Sequence, residues 1–298
     1  MAGQRRTRKL GQRFILRLCT RLSVYIYETR RRCQSQMPHL RRPCGCRIHY
    51  SVRGPSDGTP VLLLAPGGMR SCIANWMGQP YDPWSRLPGV GGGSKYKVVA
   101  MDQRAGAGDS DHLPLPTSWA TFRDDQLAVL DATAGDRKCL LVGSCIGPSF
   151  IVNLLRAAPE RFSAAVLMQP IGLARHTSEP GEPWSGLNTF AAKHWFGDWA
   201  SEQLRAGRAE RATLSDLHES MFVRSPPFIF TASREEAREL AHPLLILAGK
   251  DCFHPTEVSR DLAALVPRAR YVERWRDEDY SPHTPETIEA FLAEHSYG

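Results

Sequence analysis

Short runs, most of them rich in valine, isoleucine, leucine and alanine and set between longer stretches of helical spacing, limit most what this chain can fold into. They are Arg47–Val52, Val61–Ala65, Lys97–Met101, Cys139–Gly143, Ala164–Met168, Leu244–Ala248 and Arg270–Arg274. Most lack the apolar/polar alternation of a strand with one wet face, so both faces must be covered. Between the fourth and fifth runs, Ile151–Ala158 has the apolar spacing of a helix and is closed by Pro159. The pattern predicts an α/β domain: a mostly parallel sheet whose crossover helices pack on both sides.

The chain has 298 residues, 42% of them hydrophobic, which is enough for one substantial core and excludes disordered, collagenous and disulfide-stapled classes. One interval breaks the alternation. About seventy residues between Met168 and Leu244 carry Trp184, Phe190, Trp195, Phe196, Trp199, Phe222, Phe228 and Phe230 without a strand signal. That is too long for a loop, and it reads as a helical lid over about 172–240 whose inner face lines an apolar pocket. The alternative is that these rings only pack helices onto the sheet.

The net charge of +7 is misleading as a whole-chain figure. Residues 1–50 hold twelve arginines, Lys9 and a single acid, Glu28, for a balance of +12, so the remainder carries −5. A basic leader, 1–45, is therefore set apart from a mildly acidic body, 46–298, for which no nucleic-acid partner is expected. Within the leader Arg13, Arg17 and Arg21 recur every four residues beside Phe14, Ile15, Leu18, Leu22 and Ile26, as in an amphipathic basic helix. It resembles an organellar transit peptide; a disordered arm and a membrane-surface helix compete with that reading. No stretch supplies the roughly 20 apolar residues of a transmembrane span. The expected location is intracellular: cytoplasmic, or mitochondrial if the leader is a transit peptide.

Several of the eight cysteines, such as Cys139, sit within apolar runs and read as small core residues of a reducing compartment. Cys33, His39, Cys44, Cys46 and His49 can be drawn as a zinc site, but their spacing matches no paired C-x-x-C pattern, and no metal is expected.

The chemistry concentrates where Leu141-Val142 runs into Gly143-Ser144-Cys145-Ile146-Gly147 and a helix follows at once. Glycines two residues either side of a central nucleophile allow a strained turn and close approach of the next helix, whose N-terminal amides favour a thiolate. Three further segments occur in order along the chain: Leu64-Ala65-Pro66-Gly67-Gly68 after the second apolar run, Asp102–Ser110 after the third, and Asp251–Pro255 after the sixth. Together these resemble the α/β-hydrolase superfamily over residues 45–295. Serine is the usual central residue there, and cysteine elbows occur in the dienelactone-hydrolase branch.

The resemblance implies an α/β-hydrolase fold with an inserted helical lid, Cys145 as nucleophile, Asp251 as orienting acid, and the amides of Gly68 and Ile146 as the oxyanion hole. Pro66 stands where the family has histidine, and Asp102 and Arg104 take loop-ordering rather than catalytic roles. The family's base follows the last strand, where His283 is the histidine available; His254, three residues from Asp251, is its rival. Such a triad would cleave an ester, thioester or lactone of a moderately large apolar acyl group through an acyl-enzyme, without a cofactor. An acyltransferase on the same triad and an inactive protein that binds a hydrophobic ligand are the competing expectations.

Overall fold

The computed structural model describes residues 38–89, 94–112, 115, 118–173, 196–226, 228–251, 253–276 and 283–296. Its strands are β1 (His39–Arg41), β2 (Arg47–Arg53), β3 (Thr59–Leu64), β4 (Tyr96–Met101), β5 (Cys139–Ser144), β6 (Phe162–Met168), β7 (Leu244–Leu247) and β8 (Ala269–Val272). They form one sheet in the order β1-β2-β4-β3-β5-β6-β7-β8. β1 and β2 pair antiparallel, as do β2 and β4, and every other pairing is parallel. Each apolar run of the sequence became a strand.

Successive residues of the inner strands point to opposite faces, so each strand feeds two cores. Leu62, Leu64, Val99, Leu141, Leu167 and Ile246 pack on one face, while Val61, Leu63, Val98, Leu140, Val142, Val166 and Leu245 pack on the other. The covering helices are α1 (Pro83–Arg86), α2 (Trp119–Ala134), α3 (Gly147–Ala157), α4 (Gly197–Arg205), α5 (Arg211–His218), α6 (Arg234–Arg238), α7 (Thr256–Leu265) and α8 (His283–Glu294). None is long and apolar enough to cross a membrane.

The unit that holds the sheet begins at His39, within the segment whose charge set it apart as leader. Three residues of β1 pair with Arg47–His49, and Arg42 Nε reaches the buried Asp125 carboxylate at 2.8 Å. Asp125 also accepts both arms of the Arg104 guanidinium at 2.7 Å. A three-residue strand among arginines and cysteines has no apolar signature, which is why composition placed the boundary at 45. The basic helix expected over 13–26 lies outside the described residues.

The long interval is helical where it is described: α4, α5, a π-helical turn at Glu219–Val223, and α6. Phe196, Trp199, Phe222, Phe228 and Phe230 are all buried. Phe222 meets Phe196, Phe230 and Trp119 edge-on at 5.3–5.9 Å, a favoured aromatic geometry, and Trp119 Nε1 donates to the Met221 carbonyl at 2.8 Å. These five rings are packing residues; Trp184, Phe190 and Trp195 lie outside the described residues.

Candidate active site

Cys145 caps β5 on a backbone with φ of +61°, a region that non-glycine residues enter only under tight constraint. The constraint comes from close packing on both sides. A Cβ at Gly143 would lie 2.7 Å from the Gly147 carbonyl carbon, and one at Gly147 would lie 2.3 Å from the Leu64 carbonyl oxygen. The start of α3 therefore presses against the end of β3, and the glycines of the motif are required by contact as well as by turn geometry. Cys145 N–H donates to Met168 O at 3.0 Å, and its own carbonyl accepts from Ile171 N–H at 3.2 Å. Ser144, its neighbour, is fully buried and accepts from Gln169 Nε2 at 3.3 Å.

On the adjoining strand ends the chain turns sharply at Asp251–His254. His254 N–H and Phe253 N–H both donate to Asp251 Oδ1 at 3.0 Å, and the His254 ring donates from Nδ1 to the same oxygen at 2.7 Å. Gly249 permits this fold-back, since a Cβ there would sit 2.1 Å from the His254 carbonyl oxygen. The other ring nitrogen, Nε2, is buried with no hydrogen-bond partner among the described residues; the ring packs by that of Phe253, centroids 6.2 Å apart, and is coupled electrostatically to Cys145. Burial works against a charged ring, but the Cys145 sulfur and the Asp251 carboxylate outweigh it and push the His254 pKa up to about 9. Burial likewise opposes ionisation of Asp251. Hydrogen bonds from His254 and Arg276 overcome it and hold the carboxyl well below the usual carboxylate range.

Of the two histidines, His254 is the one whose charge is coupled to Cys145. His283 is the first residue of α8, its side chain is 82% exposed, and its ring bonds Glu286 one turn along at 2.8 Å. The geometry gives no support to the expectation that His283 serves as base: the helix begins at the histidine itself and turns its ring to solvent. Two further residues went unremarked as site residues, Gln169 just beyond β6 and Arg276 just beyond β8. Arg276 Nη2 donates to Asp251 Oδ2 at 2.8 Å, and its Nη1 donates to Gln169 Oε1. Their one signal in the sequence is position, directly past the carboxyl ends of parallel strands, where sites of this sheet type assemble.

Gly68 opens a 3-10 turn, Gly68–Arg70, after β3, and Ile146 is the buried residue between Cys145 and α3. Asn75 Nδ2 braces that turn by donating to Pro66 O and Arg70 O, each at 2.9 Å, and Arg70 pairs with Glu202 of α4 at 2.9 Å. Asp102 has a loop-ordering position: it accepts from Ile73 N–H, Asp109 N–H and the His49 ring at 2.7–2.8 Å. His49, Asp102 and Asp109 offer ligand atoms within 4.8 Å of one another, yet those of Asp102 are already taken by these donors. In the drawn zinc set, Cys44 Sγ accepts from Arg104 at 3.2 Å, Cys46 is buried with its thiol pKa pushed up to about 11 by desolvation, and Cys33 lies outside the described residues.

No family model matches the chain. Over 121 residues it is 33% identical to "Putative carbamate hydrolase RutD" of Variovorax paradoxus (strain S110), a match spanning 41% of this chain and 41% of that protein. Among solved structures it resembles an alpha/beta hydrolase from Sphaerobacter thermophilus DSM 20745 (TM-score 0.55, 19% identity, 87% of this chain and 99% of that one). An esterase from Rhodococcus sp. ECU1013 (TM-score 0.57, 21% identity) and an enol-lactonase from Burkholderia xenovorans LB400 (TM-score 0.54, 19% identity) are covered to the same extents. The chain has the α/β-hydrolase fold.

Proposed function

We propose that this protein is a hydrolase that cleaves an ester, thioester or lactone with a moderately large apolar acyl group, through an acyl-enzyme on Cys145. One observation carries the reading: a cysteine held at positive φ interacts with a buried imidazole whose other nitrogen is bound by an ionised aspartate. That is the nucleophile, base and orienter arrangement of covalent acyl transfer. The similar proteins named "Putative carbamate hydrolase RutD", an esterase and an enol-lactonase are all named for hydrolysis at a carbonyl group, which supports this reaction class.

In this mechanism Cys145 Sγ attacks the carbonyl carbon while its proton resides on His254 Nε2. The carbonyl oxygen becomes an oxyanion that accepts from the Gly68 and Ile146 amides, donors worth about 10²–10³ in rate each. Collapse breaks the bond to the leaving group, which takes the proton from Nε2, and a thioester remains on Cys145. His254 then accepts a proton from water, the hydroxide attacks the thioester, and the acid leaves as the sulfur recovers its electron pair. Asp251 holds the ring in one orientation throughout. A thiol nucleophile suits a reducing compartment.

Intact-mass analysis of wild type and Cys145→Ala after brief exposure to p-nitrophenyl esters and iodoacetamide tests the reading. An ester adduct that needs Cys145 and decays with release of acid is expected. A Cys145 thiol no more reactive than Cys139, with no ester turned over, would overturn it in favour of a ligand-binding protein on the same fold.

A further inference from the structure

Five side chains outside the nucleophile form a continuous chain across the carboxyl ends of β5, β6, β7 and β8. Ser144 Oγ accepts from Gln169 Nε2, Gln169 Oε1 accepts from Arg276 Nη1, Arg276 Nη2 donates to Asp251 Oδ2, and Asp251 Oδ1 holds the His254 ring. We infer that Arg276 is the positioning residue of this site, its fork fixing the Asp251 carboxylate in the orientation that aims His254 at Cys145. The inference rests on the hydrolase reading above and deepens it.

The guanidinium is itself firmly placed. Its side chain is 12% exposed, and it follows Trp275, a fully buried ring that donates from Nε1 to Ala248 O at 2.7 Å. Thr284 Oγ1 donates to the Trp275 carbonyl at 3.2 Å, which ties this segment to the start of α8. A planar fork reaches two acceptors at a fixed angle, so Arg276 sets the distance between the β6 and β7 ends, which a lysine point charge cannot do. Gln169 answers it with φ of +43° and an N–H donated to Leu247 O at 2.8 Å, which turns its side chain along the strand ends. The charged groups facing Asp251 are His254 from its own turn and Arg276 from the segment after β8, with the Cys145 sulfur beyond the ring. Arg276 occupies the flank from which the resemblance leads one to expect a base. With the base moved into the acid's own turn, that flank supplies the acid's second partner instead.

The rate of iodoacetamide alkylation at Cys145, followed by intact mass from pH 4 to 9, separates the outcomes in wild type, Arg276→Gln, Arg276→Lys and His254→Ala. Removing the fork leaves the Asp251 carboxylate, and through it the His254 ring, free to turn, so Arg276→Gln is expected to slow alkylation of Cys145 about tenfold at every pH. Arg276→Lys keeps the charge and loses the fork; it is expected to slow alkylation likewise while kcat for a p-nitrophenyl ester falls about tenfold at constant KM. If His254→Ala slows alkylation but both Arg276 variants match wild type at every pH, the positioning role is overturned and the hydrolase reading stands. If His254→Ala alkylates as wild type does, the triad itself falls, and the role of Arg276 with it. Should Arg276→Gln fail to fold, the lysine variant alone decides, since a kcat equal to wild type overturns the proposal.

Discussion

Asp251 Oδ1 accepts from the His254 ring at 2.7 Å and from the His254 amide at 3.0 Å, so the proposed acid and base are locked within one turn rather than contributed by two separate loops. Orientation of the ring is thereby set by local backbone geometry, with Gly249 as its condition. The remaining alignment, ring to sulfur, depends on how the end of β7 sits against the elbow after β5.

Substituting Cys145 by alanine is expected to lower kcat/KM for any ester substrate by at least about 10³-fold, since the covalent route is lost while the oxyanion donors remain. Steady-state assays on p-nitrophenyl esters check this, and full retention of rate would remove Cys145 from the mechanism.

The two histidines should part company sharply. His254→Ala is expected to cost about 10³-fold or more in kcat/KM, whereas His283→Ala, at an exposed helix start, should stay within about twofold of wild type. Measuring both variants on one substrate decides between them.

A pH dependence of stability follows from the raised pKa of His254. Its folded value is about 9 against an ordinary value of 6.5, so its stabilising contribution is complete below pH 6.5 and disappears as the pH rises through 9. Asp251, held low, contributes above the ordinary carboxylate range and loses that contribution only as the pH falls below it. Wild-type Tm should therefore drop between pH 6.5 and 9 relative to His254→Gln. Parallel Tm curves for the two proteins would contradict the assignment.

Gly147→Ala should destabilise the fold by about 2 kcal/mol or more, because its methyl would fall 2.3 Å from a backbone oxygen of β3 that has no room to withdraw. Urea denaturation would show the loss, and an unchanged midpoint would mean that α3 is free to shift.

Arg104→Met should cost about 3 kcal/mol, since it leaves the buried Asp125 with Arg42 as its remaining guanidinium. Arg42→Met, at a pair member that is 20% exposed, should cost less. Chemical denaturation of the two variants ranks them.

The sheet was legible because strands covered on both faces leave unbroken apolar runs, as at Val61–Leu64 and Leu140–Val142. The elbow was legible because its glycines are fixed by contacts that no other residue tolerates. Choice of base was not legible: position after the last strand favours His283 over its rival His254 in the sequence, whereas the fold-back over Gly249 and the start of α8 at His283 favour His254. Arg276 and Gln169 escaped notice because a polar residue after a strand looks the same whether it meets water or a partner 107 residues away. β1 was hidden by the arginines around it, which read as solvated charge although Arg42 ends on a buried carboxylate.

That first strand has a consequence for behaviour at high concentration. The inner strands of this sheet are apolar enough to recruit a foreign strand wherever an edge lies open. One margin ends in three residues, set between Pro38 and Pro43 and carrying Arg41, and the opposite margin is a four-residue strand bearing Arg270. Brief, charged, proline-bounded borders offer little ladder for another chain to extend. Among the described strands, an aggregation-prone interior is thus bounded by blunt edges.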